Sequence, residues 1–153
     1  MERKETVSGL EDHLGYWLRF VSNHVSLAFA RKVEEKGVTV AEWVLLREML
    51  QTHAANPSLL ADKLGMTRGA ISKLVDRVCD KKLAERTTSG EDRRYQSVSL
   101  TPAGKKLVPI LARLADENDR EYFGHLESEQ RTLLIHLLRE IVSMNQWRAL
   151  PVQ

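Results

Sequence analysis

The stretch Leu60-Ala61-Asp62-Lys63-Leu64-Gly65-Met66-Thr67-Arg68-Gly69-Ala70-Ile71-Ser72-Lys73-Leu74 decides the fold. Two short helices that cross closely need a small residue on the first, here Ala61, and a turn glycine that accepts positive φ, here Gly65. An apolar residue on the second, Ile71, then locks the pair, and Leu74 follows it one turn on. This is the spacing of a helix-turn-helix. Counting about 100° per residue around the second helix puts Ile71, Leu74, Val75, Val78 and Cys79 on one side. Gly69, Lys73 and Asp76 fall opposite, with Ser72 and Arg77 on the flanks. Thr67 and Arg68 lie at the N-terminal end, the part of such a helix that meets base edges. Arginine can bond guanine bidentately, while Ser and Lys are equally able to hold phosphates. A plain helical hairpin would satisfy the same spacing, so the next segment carries the decision.

That segment reads as a hairpin. Leu83 to Thr88 and Tyr95 to Leu100 are strand-like, and Ser89-Gly90-Glu91-Asp92 supplies turn chemistry between them. Arg86, Arg93 and Arg94 sit on or beside the turn, where long cations can enter a narrow minor groove. Asp92, between basic neighbours, is better suited to pairing with an arginine and aiming it than to meeting a phosphate. The whole chain has a net charge of only +2, but Lys63 to Arg94 holds nine Lys/Arg against five Asp/Glu. The remainder holds fourteen against sixteen, so the positive charge gathers on the reading element, as a DNA footprint requires.

Outward from this centre the chain is helical. Leu14, Trp17, Leu18, Val21, Val25, Ala28 and Phe29 recur with helical spacing, predicting a long amphipathic helix that ends before Gly37. A second helix is expected from about Val40 to Gln51, with Trp43, Leu46, Met49 and Leu50 as its stripe, widened by Val44 and Leu45, and with Arg47 outside it. Asn56-Pro57 is a strong start for the third, through the Asn cap and Pro at the first position. Thr67 can cap the fourth, expected to run to about Lys82. From Pro102 a helix is expected to about His125, with a kink or late start at Pro109. Leu133, Leu134, Leu137, Leu138, Ile141 and Val142 stripe a last helix, whose start carries Glu127 and Glu129 against the positive end of its dipole.

The 153 residues are enough for one domain with its own core, and no repeat or Pro/Gly-rich linker divides them. One cysteine, Cys79, excludes an internal disulfide and fits a reducing compartment. The charged start Met1-Glu2-Arg3-Lys4-Glu5 leads to no apolar signal core, and no apolar run approaches the roughly 20 residues that span a bilayer. The expected location is cytoplasmic, without membrane attachment.

Residues 57–104 resemble the winged helix-turn-helix of MarR-type transcriptional regulators. The matching stretches are Leu60 to Gly65, then Ile71-Ser72-Lys73-Leu74-Val75-Asp76-Arg77, then Asp92-Arg93-Arg94 through Leu100-Thr101-Pro102-Ala103-Gly104, and the flanking helices agree in number and order. The resemblance implies a mainly α fold with a two-stranded β-wing. Residues 10–36 and 102–148 would be dimerisation helices around a DNA-binding lobe at 38–101. It implies a homodimer on double-stranded DNA, at a pseudo-palindromic operator, more often repressing than activating. Arg94 would be the minor-groove arginine and Asp92 its orienting partner, with Arg86 and Arg93 beside them on the wing. Thr67, Arg68, Ser72, Lys73 and Arg77 would face the major groove or its phosphates. One departure stands out: where the family usually has glycine before the first wing strand, this chain has Lys82. Left-handed φ there would cost lysine on the order of 1 kcal/mol.

Regulators of this kind are commonly released from DNA by small aromatic or phenolic acids bound between dimer helices and reading lobe. Tyr16, Trp17, Phe20 and His24 on the first helix, with Trp43 and Arg47 on the second and His13 nearby, offer stacking rings and a cation for a carboxylate. The same residues also fit core and dimer packing. Redox sensing lacks a cysteine in the first helix, and Cys79 reads as a small core residue. His13 and His24 lie eleven positions apart, roughly 16 Å along a helix, so no metal site is expected. No Gly-rich phosphate loop, Cys-His pair or Gly-x-Ser-x-Gly elbow is present, so neither an enzyme nor a cofactor is expected. The rival from another class is a winged helix that docks protein and binds no specific DNA.

Overall fold

A computed structural model describes residues 7–52, 54–88 and 96–147. After a short 3-10 turn at Leu10–Asp12 the order is α1 (Leu14–Glu34), α2 (Val40–Leu50), α3 (Pro57–Leu64), α4 (Arg68–Asp80), β1 (Ala84–Thr88), β2 (Gln96–Leu100), α5 (Pro102–Phe123) and α6 (Ser128–Met144). Helix starts follow the capping chemistry of the sequence. Asn56 accepts from Ser58 N at 2.8 Å ahead of Pro57, Thr67 accepts from Ala70 N at 3.1 Å, and Thr101 accepts from Gly104 N at 3.1 Å ahead of Pro102.

Helix ends repeat one device. At Gly37, Gly65, Lys82 and Gln146 the backbone turns to positive φ. The following residue donates back to the carbonyl five positions earlier: Val38 to Val33, Met66 to Ala61, Leu83 to Val78 and Trp147 to Val142. These are Schellman closures, in which glycine is the unstrained choice. Lys82 occupies one at φ 57°, so the departure noted in the sequence is a real left-handed lysine.

The core joins all the inner elements. Val33 of α1, Leu45, Leu46 and Met49 of α2, Leu60 and Ala61 of α3, Ile71, Val75 and Val78 of α4, Val98 of β2, and Val108 and Leu111 of α5 are almost completely buried together. β1 and β2 pair antiparallel, Ala84 opposite Leu100 and Thr88 opposite Gln96. Ala55 adds a third rung by exchanging both backbone bonds with Val98 at 2.9 Å.

Several expectations are corrected. α5 begins at Pro102 and runs through Pro109, so there is no late start. On α2 the inward face is Glu42, Leu45, Leu46 and Met49, while Val44 and Leu50 are exposed, a rotation from the expected stripe. The first half of the α1 stripe is not core within this chain: Leu14, Trp17, Leu18 and Val21 are exposed, and the helix enters the core only towards Val33. No residue of α6 is buried.

Candidate nucleic-acid interface

The recognition helix is α4, and its two sides have opposite characters. Ile71, Leu74, Val75 and Val78 are buried, while Arg68, Gly69, Ser72, Lys73 and Asp76 face solvent. Ala61, 1 % exposed, sits at the crossing with α3, and Gly65 takes φ 63° in the turn, as the spacing required. Thr67 accepts a hydrogen bond at the helix start, and its own hydroxyl proton remains available to a phosphate beyond it. Cys79 is half-buried, and burial pushes its thiol pKa up, the reverse of what a reactive thiolate needs.

Wing and α4 are joined at the wing base. Thr101 Oγ1 donates to the Lys82 carbonyl at 2.7 Å, and Thr101 N donates to the Leu83 carbonyl at 3.1 Å. A Cβ on Gly104 would lie 2.0 Å from that same Leu83 oxygen. The Leu100-Thr101-Pro102-Ala103-Gly104 run is therefore a joint: Leu100 fills the core, Thr101 bonds the strand entry and caps α5, Pro102 starts the helix, and Gly104 leaves room for the backbone.

Arg77 and Arg86, both expected at the DNA, have their head groups engaged by side chains of this chain. Arg86 donates to Asp76 Oδ1 at 2.6 Å and to Gln96 Oε1 at 2.9 Å, tying both wing strands to the solvent side of α4. Arg77 Nε donates to Glu42 Oε1 at 2.9 Å and its Nη2 to Thr39 Oγ1 at 3.2 Å. Sequence reasoning missed Glu42, a 1 %-exposed carboxylate that also receives Thr39 N at 2.8 Å and Lys81 Nζ at 2.7 Å. Burial alone would raise its pKa. The bonds from Lys81, Thr39 N–H and Arg77, with the Lys81 charge, outweigh burial and set it below the ordinary value. The pattern Thr39-x-x-Glu42 is a capping box and could have flagged it. Arg93, Arg94 and Asp92 lie outside the described residues.

The expected ligand residues divide into two groups. Along α1, Tyr16 and Trp17 meet edge-on at 5.3 Å, and Phe20 stacks on His24 at 4.6 Å. His13 Nδ1 lies 2.8 Å from the Gly9 carbonyl, and Trp17 Nε1 donates to the Glu11 carbonyl at 2.9 Å. Trp43 instead packs edge-on against Phe29 at 6.4 Å, and Arg47 is half-buried on α2. An open groove of about 470 Å³ lies along α6, lined by Ser128, Glu129, Thr132, Leu133 and His136, none of them in the expected set. Among the described residues no cluster of His, Cys, Asp or Glu is placed to hold a metal, and no helix is long and apolar enough to cross a membrane.

A fold of this kind, with a solvent-facing second helix braced by a two-stranded wing, defines a winged-helix DNA-binding protein. Residues 36–94 match the model of the MarR family. The chain is 28% identical over 139 residues to a transcriptional regulatory protein assigned to the hcr operon of Thauera aromatica, covering 90% of this chain and 84% of that one. Among solved structures it is similar to a Pseudomonas aeruginosa protein classed as a transcriptional regulator, with 26% identity, a TM-score of 0.75, and coverage of 87% and 99%. It also shares its fold with BpsR of Bordetella bronchiseptica, whose DNA binding is regulated by 6-hydroxynicotinic acid, at 22% identity, TM-score 0.75, and coverage of 89% and 97%. The chain is thus similar to MarR-type proteins over residues 36–94, and the relatives it resembles are described as transcriptional regulators.

Proposed function

We propose that the protein is a cytoplasmic homodimeric repressor that binds a pseudo-palindromic operator with half-sites about one helical turn, roughly 10 base pairs, apart. Each α4 would enter a major groove with Arg68 at its leading end, Ser72 and Lys73 on the exposed side, and Thr67 on the adjoining phosphate. The wing would follow the backbone into the minor groove, where Arg94, aimed by Asp92 and flanked by Arg93, reads its width. The observation that carries this reading is the division of α4, apolar residues packed into the core and Arg68, Ser72 and Lys73 turned outward together.

Dimerisation is supported by two uncovered apolar stripes. Leu133, Leu134, Leu137, Leu138 and Ile141 on α6 and Leu14, Leu18 and Val21 on α1 are all more than a third exposed, more apolar surface than a lone chain comfortably leaves in water. A small aromatic acid is the proposed releasing ligand, taken by the Tyr16, Trp17, Phe20, His24 strip with Trp43, His13 and Arg47 bordering it. The ring chemistry of α1 supports it, as does the response of BpsR to an aromatic acid.

Selection of bound genomic fragments at near-physiological salt tests the proposal. Recovery of a palindrome, with Arg94→Ala binding it at least about tenfold more weakly, supports the reading, since one well-placed arginine contact is worth about 1–3 kcal/mol. Recovery of random sequence, or an Arg94→Ala protein of unchanged affinity, overturns it.

A further inference from the structure

Four cations are carried by the recognition helix or directly follow it: Arg68, Lys73, Arg77 and Lys81. They are not equivalent. Arg68 and Lys73 are exposed, and among the described residues no ion pair holds them. Arg77 and Lys81, one turn apart on the same face, both turn back onto Glu42 of α2. Lys81 Nζ spans the Glu42 carboxylate at 2.7 Å and the Gly37 carbonyl at 2.9 Å, bonding the C-terminal end of α4 to the start of α2. The Arg77 and Lys81 side chains are 50% and 38% exposed, so only these bonds keep two long cations from swinging into solvent. Glu42 itself has no exposed surface to offer a partner, and its carboxylate is completely engaged by Thr39 N, Arg77 and Lys81.

We propose that Glu42 is a specificity-determining positioning residue: it withholds Arg77 and Lys81 from DNA phosphates and leaves the outward face of α4 to read sequence. This rests on the DNA-binding reading above. Phosphate contacts supply affinity that is blind to sequence, and each contact contributes about 0.9 to the slope of log affinity against log salt. By the same relation each cation freed onto a phosphate multiplies non-specific affinity by about fivefold at 0.15 M salt. Two released cations would therefore bind every duplex more tightly while adding nothing to recognition, and the pose of α4 would lose its anchor to α2. The operator would gain less than random DNA.

The test measures salt-dependent affinity for a random-sequence duplex and for the selected operator, using the full-length protein. Glu42→Gln keeps the size of the side chain and removes the charge. Its expected slope on the random duplex is steeper than wild type by roughly one to two, with a lower operator-to-random ratio. Arg77→Gln and Lys81→Gln, which retain Glu42, are expected to leave the wild-type slope unchanged, and the triple variant Glu42→Gln/Arg77→Gln/Lys81→Gln returns to it. If the carboxylate only stabilised the fold, Glu42→Gln would lower the melting temperature and leave the slope as it was. Arg77→Gln or Lys81→Gln flattening the wild-type slope by about one would show that residue already on a phosphate and overturn the proposal. So would an unchanged slope for folded Glu42→Gln. Failure of the wild-type protein to prefer any duplex would instead overturn the DNA-binding reading itself.

Discussion

Lys82→Gly should make the protein more stable, and the size of the gain follows from one dihedral angle. Lys82 is held at φ 57°, fixed from both sides: its N–H donates to the Cys79 carbonyl at 2.8 Å, and its own carbonyl accepts from Thr101 Oγ1 at 2.7 Å. A side chain bearing Cβ costs about 1–2 kcal/mol in that conformation, whereas glycine adopts it freely. Glycine also loosens the unfolded chain, returning about 0.4–1 kcal/mol to the other side. The net gain is about 0.5–1 kcal/mol, which moves the melting temperature up by roughly 1–4 °C in a chain of this size. Lys82→Ala is the control, since it removes the exposed amine and keeps the strained Cβ. Urea denaturation at one fixed protein concentration, so that association contributes equally, should rank glycine above alanine by about 1 kcal/mol. Equal midpoints for the two variants would refute the strain account, because loss of the amine would then explain all of any change.

Gly104→Ala should lose about 1–3 kcal/mol or fail to fold, because its new methyl meets the Leu83 carbonyl oxygen at 2.0 Å, and calorimetry would record the drop. The Glu42 cluster predicts an acid dependence: a carboxylate held below its ordinary 4.5 stabilises the fold fully above that value and loses its contribution as pH falls towards the folded-state pKa. The stability difference between wild type and Glu42→Gln, measured from pH 7 downward, should shrink below about pH 4.5 and not before. Leu138→Glu, placing a charge in the exposed α6 stripe, should shift sedimentation from dimer to monomer with little loss of helical signal, and a variant that stays dimeric would move the interface elsewhere.

Much of this was legible because the determining contacts are local. Gly65, Thr67 and the Ile71, Leu74, Val75, Val78 stripe act within a few residues of one another, so periodicity and turn chemistry suffice to place them. The rotation of α2 was hidden for the opposite reason. Glu42 reads as a surface residue until Arg77 and Lys81, 35 and 39 positions away, are folded onto it. Arg77 and Arg86 show the same limit, since sequence supplies their charge and helical or strand position but not the acidic partner. The apolar stripe of α1 reads as fitting core and dimer packing alike, since a stripe records only that a face is to be covered. Whether the cover is the same chain or another is not written in its spacing.

The long α5 has a property that its contacts make mechanical. Near one end Thr101 and Gly104 seize the wing base, while near the other the buried Asn118 donates to the Val25 carbonyl of α1 at 3.2 Å and accepts from Lys32 at 2.9 Å. Between Thr101 and Asn118 run seventeen residue steps, about 26 Å of stiff rod at the helical rise. A tilt of about 5° at the Asn118 pivot would carry the Thr101 end through about 2 Å, enough to break a hydrogen bond. α5 is in this sense a lever, with its short-travel end against α1 and its long-travel end at the base of the wing.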